Sequence, residues 1–409
     1  MQILYAVHQF FPRNYTGTER FTLNLASQMQ RMAHSPTVLT YERSRGEQGF
    51  KHLHGNVEIK RYVHHSIPVI SLRDNSLRDD FQALSQGRPE IFHSGIEKGF
   101  NKLGLEFDVV HVCHPMWLSS VARACKNQKI PIVLTLTDPW LLCPREILVD
   151  RQFRLCNGPE AGRKCILDCG YNARITERYE DALRLLSMAD QVVTSSKFTA
   201  SLFNRNGWNK NIRIIPHSVD YRFARVSSFD PDNISFGYIG TISWHKGLHV
   251  LIKAFQKAPQ SKLRLKVYGS THQNPAYAEE VLSLARGDDR IQFLGTFEME
   301  AMAKIMGEIS VLVVPSVYYE NYPLVMLMAL ACKVPVIASN IGGMPEVIKH
   351  GINGFLFKTG NSDELKSLVD EIARKPETIQ ELRERIVPPR RVEEEALEYE
   401  NIYMDLASK

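Results

Sequence analysis

Short runs of β-branched and apolar residues recur along this chain, each closed by a Gly, Pro or Asp turn and followed by an amphipathic segment of helical period. That alternation is the pattern of an α/β protein. In the first half it predicts strands over residues 2–8, 35–41, 57–63, 109–113, 130–135, 191–194 and 212–215. In the second half it predicts them over 233–239, 263–268, 291–294, 310–314, 334–338 and 354–357. Most of these runs are almost continuously apolar, as strands are when helices cover both faces of a parallel sheet. Two doubly wound, Rossmann-like domains are the economical reading. A polar turn cluster at 227–232 marks the expected boundary, giving domains over 1–228 and 229–390. After Pro388-Pro389-Arg390-Arg391 a last helical pattern spans 391–409, with Tyr399, Tyr403 and Leu406 near one face. Mixed charge with interspersed apolar residues over 72–100 predicts helices on the rim of the first domain. No repeat or low-complexity tract is visible.

Composition supports this picture. A length of 409 residues suits two large domains, and 44% hydrophobic with 23% charged residues excludes extensive disorder. Fifty basic against forty-five acidic residues leave +5, too small an excess to call for nucleic acid. Residues 1–11 are apolar but lack a basic leader, so no export signal is expected. The most apolar stretch, 323–338, is interrupted by Lys333 and Pro335 and is too short to span a bilayer. Seven cysteines without an export signal point to free thiols in a reducing cytoplasm. Peripheral contact with the inner face of the membrane, through the 72–100 rim, is the minority expectation.

The strongest site signal lies within 311–346. A strand ends at Pro315-Ser316, a loop carries Glu320 and Asn321, and a helix is expected to open near Pro323, whose fixed φ suits a first turn. The next strand ends in Ser339-Asn340-Ile341-Gly342-Gly343, and Pro345-Glu346 opens another helix. Two helix starts beside two strand ends would make a cradle for an anionic phosphate. Ordinary strand-to-helix connections are the alternative.

Together these residues resemble the family 4 retaining glycosyltransferases, which have the GT-B fold: two Rossmann-like domains facing a central cleft. The resemblance extends to Phe236-Gly237-Tyr238-Ile239-Gly240 with His245-Lys246-Gly247-Leu248, to Ile214-Ile215-Pro216-His217, and to the loop from Phe10-Phe11-Pro12 through Gly17-Thr18-Glu19. It implies sugar transfer from a nucleotide diphosphate sugar to an acceptor hydroxyl with retention at the anomeric carbon. The acceptor would be a glycan, a glycolipid or a small molecule, as in surface polysaccharide or glycolipid biosynthesis. No cofactor is implied for catalysis, and a same-face substitution in which the diphosphate takes the acceptor proton is expected.

By the same resemblance, Glu320, Lys246 and Asp138 are the catalytic candidates. Gly17, Thr18, Gly240, Thr241, His245, Asn321, Tyr322, Pro323, Leu324, Val325, Met328, Gly342, Gly343 and Glu346 join Lys246 and Glu320 as donor-binding candidates. Three positions depart from the family pattern: Met328 replaces a carboxylate, Thr241 an arginine and Thr137 a histidine. These departures keep open a non-catalytic binding or regulatory relative, or a sugar-nucleotide hydrolase or epimerase on the same scaffold.

After Asp138 come Cys143, Cys156, Cys165 and Cys169 in a turn-rich segment poor in core residues. Four thiolates at this spacing could hold a structural zinc ion or an iron–sulfur cluster. Unconnected thiols, or a disulfide formed on oxidation, are the equal alternative. The segment also resembles a family subgroup carrying Asp-Pro-Trp and Cys-Pro-Arg. His111 and His114 flank Cys113 at a strand end, where His114 is expected to line the cleft or satisfy a turn.

Overall fold

A computed structural model describes residues 1–13, 16–42, 48–77, 91–226, 229–258 and 263–409. Residues 227–228 of the expected boundary cluster and 78–90 of the expected rim helices lie outside this set. The chain forms two compact units, Met1–His217 with Val392–Lys409, and Ser218–Arg391. The division therefore precedes the polar cluster at 227–232. The amide of Val219 donates to the Arg390 carbonyl at 3.0 Å and the Tyr221 hydroxyl to that of Pro389 at 2.7 Å. Val219 also packs in the second unit's hydrophobic interior, so local contacts outweigh the turn chemistry that follows.

The first unit carries strands β1 (Gln2–Val7), β2 (Ser35–Tyr41), β3 (Lys51–His54), β4 (Val57–His64), β5 (Ile67–Asp74), β6 (Val109–Val112), β7 (Ile132–Leu136), β8 (Gln191–Thr194) and β9 (Ile212–Ile214). They form one sheet in the order β3-β4-β5-β2-β1-β6-β7-β8-β9. From β5 to β9 every pair is parallel, whereas β3, β4 and β5 pair antiparallel at one edge. The sequence reading missed β3 and β5. Leu72, expected to open a helical rim, lies within β5 instead, and the described helix there is Ser94–Lys102. His65 and Ser66, both at positive φ, form the tight turn that folds β4 back on β5.

Phe21, Leu25 and Met29 of the helix Gly17–Arg31 pack against Ile3, Tyr5 and Val7 of β1. Ala396, Tyr399, Ile402 and Tyr403 of the terminal helix Val392–Ala407 enter the same cluster. Polar locks accompany this burial: His111 Nδ1 meets the Tyr403 hydroxyl at 2.6 Å and its Nε2 meets Thr135 Oγ1 at 2.7 Å. His217 is likewise held between Ser195 and Glu395.

Complete burial lowers the His111 pKa to about 3. Below about pH 6.5 the unfolded chain takes up a proton at this ring that the native state refuses, so His111 favours the fold fully above that pH. The expected loss is about 1.4 kcal/mol per pH unit on acidification from pH 6.5 toward pH 3. Denaturant midpoints measured between pH 7.5 and 4.5 check this, and His111→Gln should flatten the slope.

The second unit carries β10 (Ser235–Ile239), β11 (Arg264–Tyr268), β12 (Ile291–Gly295), β13 (Val311–Val314), β14 (Val336–Ser339) and β15 (Gly354–Phe357). All pair parallel in the order β12-β11-β10-β13-β14-β15. Numbered within the unit, this is 3-2-1-4-5-6, the doubly wound dinucleotide-fold order. The order reverses between β10 and β13, and ligands of such sheets bind outside the carboxyl ends of the strands at that point. Every strand expected from the sequence is present, its ends shifted by at most two residues. Among the described residues no helix is long and apolar enough to cross a membrane.

Candidate functional site

Two loops leave the second sheet at its switch point. After β10 the chain runs through Gly240 and Thr241 into a single turn at Trp244–Lys246, then through Gly247 into the helix Leu248–Gln256. After β13 it runs from Pro315 to Pro323 before the helix Leu324–Ala331. The two loops interlock, because the Val317 amide donates to the His245 carbonyl at 2.8 Å. Gly247 makes that approach possible: its φ is +73°, and a Cβ would lie 1.9 Å from the Pro315 carbonyl oxygen.

Their closeness brings Lys246 to Glu320. Lys246 Nζ donates to Glu320 Oε1 at 2.8 Å and lies 2.8 Å from the Tyr318 hydroxyl. Ser316 Oγ donates to Oε1 at 2.7 Å and the Tyr318 hydroxyl to Oε2 at 2.8 Å. The loop after β14 fixes the backbone of Glu320, since the Gly343 amide donates to its carbonyl at 2.8 Å. Gly342, at φ +62°, leaves no room for a Cβ, which would sit 2.3 Å from that same carbonyl oxygen.

Burial alone would raise the Glu320 carboxyl, but the Lys246 charge and the hydrogen bonds from Lys246, Ser316 and Tyr318 hold its pKa below the ordinary value. Glu320 is therefore an oriented anion, buried to 7% exposure. The Lys246 side chain keeps 27% of its surface open, so an incoming anion can compete for its ammonium group.

The remaining second-unit candidates distribute around this pair. The Thr241 carbonyl accepts from the Tyr238 hydroxyl at 2.7 Å, and His245 stands edge-on to Tyr318 with ring centroids 4.7 Å apart. Asn321, Tyr322, Pro323, Leu324 and Val325 are half-buried, and Pro323 caps the following helix instead of opening it. Met328 lies on that helix's buried side, packed in the hydrophobic interior. Its thioether is spent on packing, and this position offers nothing comparable to a carboxylate's acceptors. Glu346 sits in Met344–Val347, a single turn, so only one of the two expected helix starts belongs to a helix of two turns.

Gly17, Thr18 and Asp138 belong to the first unit. Gly17 and Thr18 begin the helix Gly17–Arg31, where Thr16 Oγ1 donates to the buried carboxylate of Glu19. Asp138 follows β7; its Oδ1 accepts from the Trp140 amide and its Oδ2 lies 2.8 Å from His114 Nε2. His114 Nδ1 accepts the Met116 amide, which places the neutral ring's proton on Nε2, toward Asp138. The His8 ring lies 4.0 Å from His114, with Nε2 3.8 Å from Glu19 Oε1. His8 and His114 follow β1 and β6, the first sheet's own switch point. Burial raises the Glu19 pKa.

Cys143, Cys156, Cys165 and Cys169 line one small cavity as free thiols. They do not stand in ligating positions: among the described residues no group of three or more His, Cys, Asp or Glu is arranged to hold a metal ion. Cys156 Sγ is engaged locally, donating to the Gly158 carbonyl and accepting from its amide. Sequence reasoning missed Ser316 and Tyr318 as partners of Glu320 and the pairing of His114 with Asp138. The first two were within reach, four and two positions before Glu320 in its own loop.

A sequence model described as Glycosyltransferase Family 4 matches residues 15–223, and one described as Glycosyl transferases group 1 matches residues 222–388. An uncharacterised glycosyltransferase of Methanocaldococcus jannaschii is 28% identical over 68% of this chain and 69% of its own length. Several further curated relatives align over about half their length or less. Among solved structures, Anabaena HepE in complex with UDP and glucose superimposes with a TM-score of 0.71 at 18% identity, covering 98% of this chain and 99% of that one. Sucrose-phosphate synthase of Thermosynechococcus elongatus gives 0.73 at 18% identity, covering 100% and 99%. At that identity the likeness establishes the fold, which is GT-B.

Proposed function

Because this chain belongs to glycosyltransferase family 4, we propose that it moves a sugar from a nucleotide diphosphate donor to an acceptor hydroxyl with retention at the anomeric carbon. The observation that carries this reading is the Lys246–Glu320 pair at the switch point of the second sheet. A leaving diphosphate develops negative charge as the glycosidic bond breaks, and a fixed cation with oriented amides stabilises it without reorganisation. Lys246 is that cation, and the first-turn amides of the helix Leu324–Ala331 are the dipoles. As the diphosphate engages Lys246, Glu320 is freed to accept hydrogen bonds from the donor sugar's hydroxyls and to balance the positive charge growing on its ring.

In this reading no metal is needed at the reacting centre, since Lys246 supplies the charge. Asp138, held by His114, is the acceptor-side candidate. The crystal complex of HepE with UDP and glucose supports a nucleotide donor by likeness of fold. We propose a glycan, glycolipid or small polyol as acceptor, in surface polysaccharide or glycolipid biosynthesis.

The test is thermal stabilisation against a panel of nucleoside diphosphates and their sugars, because a ligand that binds only the native state raises apparent stability. One nucleotide should shift the midpoint selectively, and Lys246→Met should weaken that shift. NMR of the product from the matching donor should show retained anomeric configuration. Absence of any shift at millimolar ligand, or an inverted product, would overturn the proposal.

A further inference from the structure

The segment after Asp138 has little regular structure to hold it. Between Cys143 and Cys169 the described elements are one bridge, Val149 to Leu155, and the short helix Arg163–Cys169. Glu146, Leu148, Phe153, Glu160 and Ala161 all sit at positive φ, a conformation side chains adopt at a cost. Leu148 and Val149 are buried, and Asp150 accepts from the Gln152 and Arg154 amides. Phe153 and Leu167, by contrast, turn outward, with 57% and 67% of their surface exposed, so apolar packing holds only part of the segment. What the segment does bring together is sulfur. Cys143, Cys156, Cys165 and Cys169 surround a cavity of about 10 Å³, also lined by Arg145 and Lys164. That is room for one atom-sized occupant, and far too little for a four-iron cube.

A second observation concerns charge. Arg178, only 2% exposed, lies against the same segment with its guanidinium 4.6 Å from the centre of the Trp140 ring. It donates to the Trp140 and Leu141 carbonyls, and its Nε has no hydrogen-bond partner among the described residues. No described carboxylate lies within salt-bridge distance of it, and Cys143, Tyr171, Cys165 and, less strongly, Glu146 are the acidic groups that act on it. A buried cation without a counter-anion is costly.

We propose that the four cysteines bind one zinc ion. Zn²⁺ displaces a proton from each thiol, forming four zinc–sulfur bonds, releasing four protons to solvent and leaving a centre of formal charge −2. That charge offsets Arg178 and Arg145, since Lys164 already pairs with Glu160 at 3.1 Å. The thiols as they stand are not convergent, and Cys156 is turned to Gly158. A change of χ1 well redirects a sulfur without moving the backbone, so binding draws them in. The centre is a structural staple for the segment, distinct from the Lys246–Glu320 site in the other unit.

Full-length protein purified under reducing conditions without chelator should carry close to one zinc by mass spectrometry. After metal removal, cobalt(II) should produce an intense near-ultraviolet sulfur-to-metal band with the visible bands of a tetrahedral site. Cys156→Ser and Cys169→Ser, at half-buried positions, should lose the zinc, while Cys125→Ala, outside the cavity, should keep it. Four results would each overturn the proposal. They are a metal-free protein that gives no cobalt–thiolate band, zinc retained in both serine variants, iron with sulfide in place of zinc, and a native disulfide among the four.

Discussion

Lys246→Ala is expected to lower stability by about 3 kcal/mol and catalytic efficiency by roughly 10³-fold at once. Removing the ammonium leaves Glu320 buried with hydrogen bonds from Ser316 and Tyr318 but no counter-charge. An uncompensated buried charge costs far more than the pair itself is worth. The double variant Lys246→Met with Glu320→Gln should therefore recover most of the stability, since it replaces the ion pair by neutral groups of similar size. It should recover none of the activity. Chemical denaturation separates the two effects, and turnover with the donor identified by thermal shift reads the second. If the double variant is no more stable than Lys246→Ala, the pair does not couple and the electrostatic account of this site fails.

Gly247→Val should be still more damaging, at about 4 kcal/mol or beyond. Its Cβ would meet the Pro315 carbonyl oxygen at 1.9 Å, and the nearest atoms are all backbone of Pro315 and Ser316, with no flexible side chain to yield. The residue would also have to hold φ near +73°, which a β-branched side chain resists. The two loops would be forced apart, so any folded fraction should lose the Lys246–Glu320 contact and donor binding with it. Gly240→Ala, seven positions earlier, is the control: its nearest neighbour atom is 3.8 Å from the new methyl, and the variant should fold within about 0.5 kcal/mol of wild type. Circular dichroism and denaturant midpoints distinguish the pair. Equal stability of both variants would mean that the close approach at Gly247 is not required.

The strands that read clearly in the sequence are those with buried residues on both faces, such as Gln2–Val7 and Val311–Val314. Continuous apolarity is a local property, and it survives in the sequence whatever the strand pairs with. β3 and β5 did not read clearly. β3 is the polar Lys-His-Leu-His at the sheet's edge, and β5 has Pro68 in second position, which propensity counts against a strand. The edge tolerates polar β3, and β5 tolerates Pro68 because its ladder with β2 begins only at Val69, so that at Pro68 the strand has β4 alone as a partner. The unit boundary was misplaced for a similar reason: turn chemistry at 227–232 was visible, whereas the Val219 and Tyr221 contacts with residues 389–391 span most of the second unit's length.

The same distinction holds for the site. By itself the sequence determined the class of fold and the residues that carry charge at the strand ends, Lys246 after β10 and Glu320 after β13, because each stands in a recognisable run of neighbours. It also determined that four cysteines lie close in the chain. Only the tertiary structure decided that Lys246 and Glu320, 74 positions apart, touch at 2.8 Å, that His114 holds Asp138, and that His111 pairs with a tyrosine 292 positions away. It also decided that Met328 faces the interior and that the four thiols surround one cavity. Patterns along a chain record which faces are buried, since burial repeats with the period of the local element. Which distant side chains meet depends on strand order, and strand order is settled by packing summed over the whole sheet.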